Sequence, residues 1–119
     1  MYDLELRTKE VIISSNKEDA KKEIRKVLYK LTDSDYNGDN GEEYYINGKS
    51  RLDNRMEDLD SISGSYLTEK EIVDFIKKVI LESYEDDDYY QKVDTMIFSE
   101  IKDSSHLRVT IVVALMEYY

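Results

Sequence analysis

Val93-Asp-Thr-Met-Ile-Phe-Ser-Glu-Ile101 and Leu107-Arg-Val-Thr-Ile-Val-Val-Ala-Leu-Met116 decide the fold. Both runs are rich in β-branched and aliphatic residues, and only a short polar connection, Lys102 to His106, separates them. Two such runs with so short a link predict an antiparallel hairpin. The second run is apolar at successive positions, which predicts a central strand covered on both faces. A further strand is expected at the start of the chain. There Tyr2-Asp-Leu-Glu-Leu-Arg7 alternates apolar and charged residues, with Leu4 and Leu6 inward. Val11-Ile-Ile13 continues that strand or pairs back on it. In Tyr44-Tyr-Ile-Asn-Gly-Lys-Ser-Arg-Leu52, Asn47-Gly48 tolerates the positive φ of a type I′ turn, so a second, smaller hairpin is predicted.

Two helices separate these strands. Ser15-Asn-Lys-Glu18 has the form of a capping box, and Ala20, Ile24, Val27, Leu28 and Leu31 follow on one helical face. Lys21, Lys22, Arg25 and Lys26 make the opposite face basic, a pattern expected of a solvated helix side. Thr68-Glu-Lys-Glu71 is another capping box, with Leu67 placed to staple onto Ile72. Behind it Ile72, Ile76, Val79, Ile80 and Ser83 form a core stripe widened by Val73, Phe75 and Leu81. Residues 53–65 have weak periodicity and read as an acidic loop with room for one helical turn. The expected fold is a single α+β domain over residues 1–119. Its antiparallel sheet has about four strands and carries two packed helices, in the order β-α-(ββ)-α-β-β.

The chain carries a net charge of −10, with 37% charged and 40% hydrophobic residues. Apolar runs interleave with the charges, as in a folded rather than a disordered chain. Residues 1–31 are slightly basic and residues 32–119 strongly acidic, so direct nucleic-acid binding is not expected. A basic protein surface is the natural complement, met by fast, salt-sensitive association. The eleven tyrosines suit such an interface. Without cysteine there are no disulfides or thiolate metal sites, and no run approaches the length of a membrane span. The first residues lack the features of a signal peptide, and a cytoplasmic location is expected.

Four consecutive carboxylates stand between tyrosines in Tyr84-Glu85-Asp86-Asp87-Asp88-Tyr89-Tyr90, with Glu82 just before them. Carboxylates on a helix end or an extended segment are spaced about 5–7 Å apart, similar to phosphates along a nucleic-acid strand. This stretch is therefore the first candidate partner-binding surface. Its acids are read as meeting Arg and Lys, and its tyrosines as replacing stacked bases. The alternative is a solvated, self-repelling corner.

A second acidic segment runs from Asp33 to Asp60, with Asp33, Asp35, Asp39, Glu42 and Glu43 as secondary contact candidates. Asp33, Asp35, Asn37 and Gly38 occupy positions one, three, five and six of an EF-hand calcium loop. Asp39 adds a further oxygen donor. Position twelve, however, is Tyr44 instead of a bidentate Glu, and no second helix follows. An acidic, turn-rich loop is the expectation, and calcium the alternative.

Catalytic patterns are sparse. His106 is the single histidine, and Ser104 and Ser105 beside it carry no nucleophile-elbow signature. The four glycines form no phosphate-binding loop. The carboxylates cluster in polar stretches rather than in apolar pockets that shift a pKa. A binding protein without cofactor, not an enzyme, is the expectation.

Glu71-Ile-Val-Asp-Phe-Ile76, Ser83-Tyr-Glu-Asp-Asp-Asp-Tyr89 and Asp94-Thr-Met-Ile97 resemble the C-terminal part of a phage anti-CRISPR family. The resemblance covers roughly a quarter of the chain, which is longer than the family's members and ends in an extra strand. It implies an acidic inhibitor that mimics DNA where a Cas nuclease reads its short recognition motif, acting in the bacterial host cytoplasm. Tyr84, Glu85, Asp86, Asp87, Asp88 and Tyr89 are the matching positions. An immunity protein neutralising a basic nuclease toxin, a calcium-binding module and a structural interaction protein are the competing readings.

Overall fold

The computed structural model describes residues 1–32, 45–46, 49–84 and 90–118. The elements run β1 (Tyr2–Ser14), α1 (Lys17–Leu31), β2 (Tyr45–Ile46), β3 (Lys49–Ser50) and α2 (Arg51–Met56). A 3-10 helix (Glu57–Ser61), α3 (Glu69–Ser83), β4 (Tyr90–Asp103) and β5 (His106–Tyr118) follow. The architecture is α+β. A three-stranded antiparallel sheet has the order β1-β5-β4, and β2-β3 forms a separate two-stranded pair. The expectation of about four strands in one sheet is corrected accordingly. β2 and β3 do pair, with Ile46 opposite Lys49, but each is two residues long and they stand apart from the larger sheet. Asn47 and Gly48, where the turn is predicted, lie outside the described residues.

β5 is central, as its composition predicts, and pairs along its whole length with β1 on one side and β4 on the other. The expected cover on both faces is not what the chain builds. Leu107, Val109, Ile111, Val113 and Leu115 are buried under the helices, whereas Val112, Ala114 and Met116 on the opposite face are only half-buried. The reason is topological. α1 packs against β1 and α3 against β4, on the same side of the sheet. Leu4 and Leu6 pair with Met116 and Ala114, so they lie on the bare face and are more than half exposed. The inward residues of β1 are Arg7, Val11 and Ile13, which corrects the expected orientation of that strand. Val11 to Ile13 simply continues it.

The helices follow their capping signals, with one shift. The cap of α1 is Asn16, not Ser15, because the Asn16 side chain accepts from the Asp19 amide at 3.2 Å. At α3 the Thr68–Glu71 capping box forms in both directions, at 3.2 and 2.9 Å. Ala20, Ile24, Leu28 and Leu31 of α1 and Ile72, Ile76 and Ile80 of α3 are fully buried. Each such aliphatic side chain larger than alanine contributes about 1.5–3 kcal/mol by leaving water. The acidic loop expected at 53–65 is instead α2 and the 3-10 helix, anchored by buried Met56 and Leu59. Lys17, at the start of α1, is buried and its ammonium donates to the Ile62 carbonyl. Among the described residues, no helix is long and apolar enough to cross a membrane.

The β4–β5 hairpin closes through Ser104-Ser105. The Asp103 carboxylate accepts from the Ser105 amide at 2.8 Å and lies 2.9 Å from His106 Nδ1. These contacts, the Ser105 amide first, hold the Asp103 carboxyl below its ordinary range.

Two measurements test this framework. Ile76→Ala should lower unfolding free energy by about 2–5 kcal/mol in urea titrations. Because the folded state lowers the Asp103 pKa, its contribution is complete above about pH 4 and is lost as pH falls through the lower folded value. The thermal midpoint of Asp103→Ala should therefore lie below wild type at pH 7, and the gap should narrow in strong acid.

Candidate partner-binding surface

Tyr84 and Tyr90 bracket residues 85–89, and both are fastened to the same guanidinium. Tyr84 caps the C-terminus of α3 and is only 6% exposed. Its hydroxyl donates to the Leu31 carbonyl at 2.7 Å. Leu31 is the last residue of α1, where carbonyls have no intrahelical donor and a positive charge is favoured. Arg7 supplies that charge. Its Nη1 donates to the Leu31 carbonyl at 3.3 Å and to the Tyr84 hydroxyl at 3.0 Å, and its Nη2 donates to the Tyr90 hydroxyl at 3.4 Å. Its Nε pairs with Glu5 at 3.1 Å. One side chain from β1 thus ties together the end of α1, the end of α3 and the start of β4.

The two rings also meet directly, edge to face, with centroids 5.6 Å apart. A pair in that geometry adds about 0.5–1.5 kcal/mol beyond its buried area. The contact depends on a register shift in β4. Tyr90 pairs with Glu117 and Lys92 with Met116, which leaves Gln91 as an extra residue. In an unbroken strand Tyr90 would share the bare face with Lys92 and Asp94. The bulge at Gln91 turns it to the helix side, where Tyr84 and Arg7 lie.

These facts change the role of the flanking tyrosines. Tyr84 faces the core, so it anchors the acidic run and offers no stacking surface. Tyr90 is half-buried. Glu82 is exposed and its carboxylate pairs with Arg55 of α2. Glu85, Asp86, Asp87, Asp88 and Tyr89 lie outside the described residues. So do Asp33, Asp35, Asn37, Asp39, Glu42 and Glu43, the secondary contact and calcium candidates. A cleft of about 380 Å³ opens at the foot of the run, between the end of α3 and the start of β4, and Leu81, Glu82 and Lys92 are among its lining residues. His106 lies at the opposite end of β5 from this cleft, beside Asp103 in the hairpin turn.

Arg7 is the residue that sequence reading misses. Residue type gives no signal for it, since Lys9 is a second cation at an odd position of the same strand and is exposed, whereas Arg7 shares the helix side with Val11 and Ile13. Comparison with family models, curated proteins and solved structures yields no match for the chain.

Arg7→Met should destabilise the fold by about 2–3 kcal/mol, since it removes charge-assisted bonds from partly buried acceptors. Tyr84→Phe should cost about 1 kcal/mol, because the Leu31 carbonyl keeps its Arg7 donor. Urea denaturation of the two variants against wild type measures both.

Proposed function

We propose that the chain is an acidic protein inhibitor that occupies the basic nucleic-acid-binding surface of a CRISPR–Cas nuclease. It binds and does not catalyse. Glu85, Asp86, Asp87 and Asp88 stand in for phosphates against Arg and Lys of the target. The observation that carries this reading is the Arg7 clamp, which fixes both ends of the acidic run to one point of the fold. A binding loop with anchored ends loses less conformational entropy on association. The net charge of −10 supports it too, because an acidic surface speeds encounter with a basic groove. The resemblance of Ser83–Tyr89 to the anti-CRISPR run points to the same class of target. The sequence from Asp33 to Asp60, also rich in carboxylates, is the second candidate contact segment.

The triple change Asp86→Lys, Asp87→Lys and Asp88→Lys should abolish binding to a purified Cas nuclease while the unfolding midpoint stays near wild type. Wild-type binding should weaken by at least tenfold between low and high salt, and guide-loaded nuclease already holding target DNA should not be captured. Retention of binding by the triple variant would remove the run from the interface. Capture of a nuclease toxin in place of a Cas enzyme would move the protein to the immunity class.

A further inference from the structure

The face of the sheet turned away from the helices carries an apolar stripe. The register places Leu4 beside Met116, Leu6 beside Ala114, and Met96 beside Val112, with Phe98 next along β4. The stripe crosses all three strands diagonally. Leu4, Leu6, Met96 and Phe98 are 57%, 60%, 52% and 58% exposed, and Tyr2 continues the line at 65%. Scattered apolar residues on a surface need no explanation, but a contiguous stripe of this kind marks an interaction site.

We propose that this face is the interface of a homodimer, in which two copies stack their bare sheet faces about a two-fold axis. Three strands of 13, 14 and 13 residues give a face on the order of 600 Å² in projection, at about 3.3 Å per residue and 4.8 Å per strand. Two such faces remove about 1,200 Å², above the roughly 1,000 Å² that a specific interface requires.

Charge selects a second copy as the occupant. The chain is at −10, yet along the apolar stripe this face carries Glu10, Asp94 and Glu100 against Lys92 and Arg108. Arg108 already holds Glu10 at 3.4 Å and Glu100 at 3.7 Å, so these acids are balanced within the face. Two such faces meet without the repulsion that the rest of the surface would impose. A strongly basic partner gains nothing here, which separates this face from the acidic run. Facing sheets then stack about 10 Å apart, and the half-buried side chains of β5 acquire the second layer that their composition calls for.

Sedimentation equilibrium on the full chain tests the proposal. The expected result is a species of twice 14.1 kDa at micromolar concentration, retained at high salt because the contact is apolar. Leu6→Glu with Phe98→Glu should shift the equilibrium to monomer, raising the dissociation constant at least a hundredfold. Both positions are more than half exposed, so far-UV circular dichroism should remain unchanged. Met96→Lys serves as a second variant should the double change unfold the chain, and it should raise the dissociation constant at least tenfold. A wild-type monomer at high concentration, or a dimer that survives these substitutions in folded protein, would overturn the proposal.

Discussion

Everything in this fold hangs on β5 being hydrogen-bonded along both edges. β1 and β4 never pair with each other; each is held in place only through the strand between them. The two long helices depend on it in turn, since Val109, Ile111, Val113 and Leu115 form the floor on which both rest. A polar substitution at one of these positions would therefore loosen both helices and the outer strands together. Pairing thus sets the frame, and burial of a single face supplies most of its stability.

Arg7 adds a second, more local constraint. A strand, two helix ends and a strand start converge on one guanidinium, which shares the Leu31 carbonyl with the Tyr84 hydroxyl and also reaches the hydroxyl of Tyr90. The hydroxyl of Tyr84 is both donor and acceptor in this cluster. Arginine suits the position because its fork reaches several acceptors at once and its charge does not titrate in the physiological range. A lysine would reach fewer of them. The bulge at Gln91 completes the arrangement by turning Tyr90 toward the cluster.

Much of the fold was legible in the sequence because its signals are local. The apolar stripe of α3, its capping box, the β4–β5 hairpin and the pairing of β2 with β3 each follow from short-range patterns that tertiary contacts reinforce. What escaped depends on register between distant segments. Leu4 and Leu6 alternate as an inward pair would, yet pairing with β5 puts them on the open face. The apolar character of both sides of β5 predicted two covering layers, and the described residues provide one. Residues 53–65 hid two short helices because buried Met56 and Leu59 stand among acids. At the site, the acidic run is plain from composition, but its Arg7 anchor is separated from it by most of the chain, and the Gln91 bulge leaves no mark on residue type.

The pairing of Tyr2 with Tyr118 has a kinetic consequence. Among the described residues β1 precedes every other strand, and its partner in the sheet is β5, which follows all of them. Until β5 emerges, α1 and α3 have no floor, and the apolar residues of both helices must wait in partly collapsed states. Closing so long a loop before any pairing compensates for it makes folding slow relative to helical proteins of the same size. During that interval the acidic composition keeps nascent chains apart by mutual repulsion, which limits aggregation while the sheet is still open.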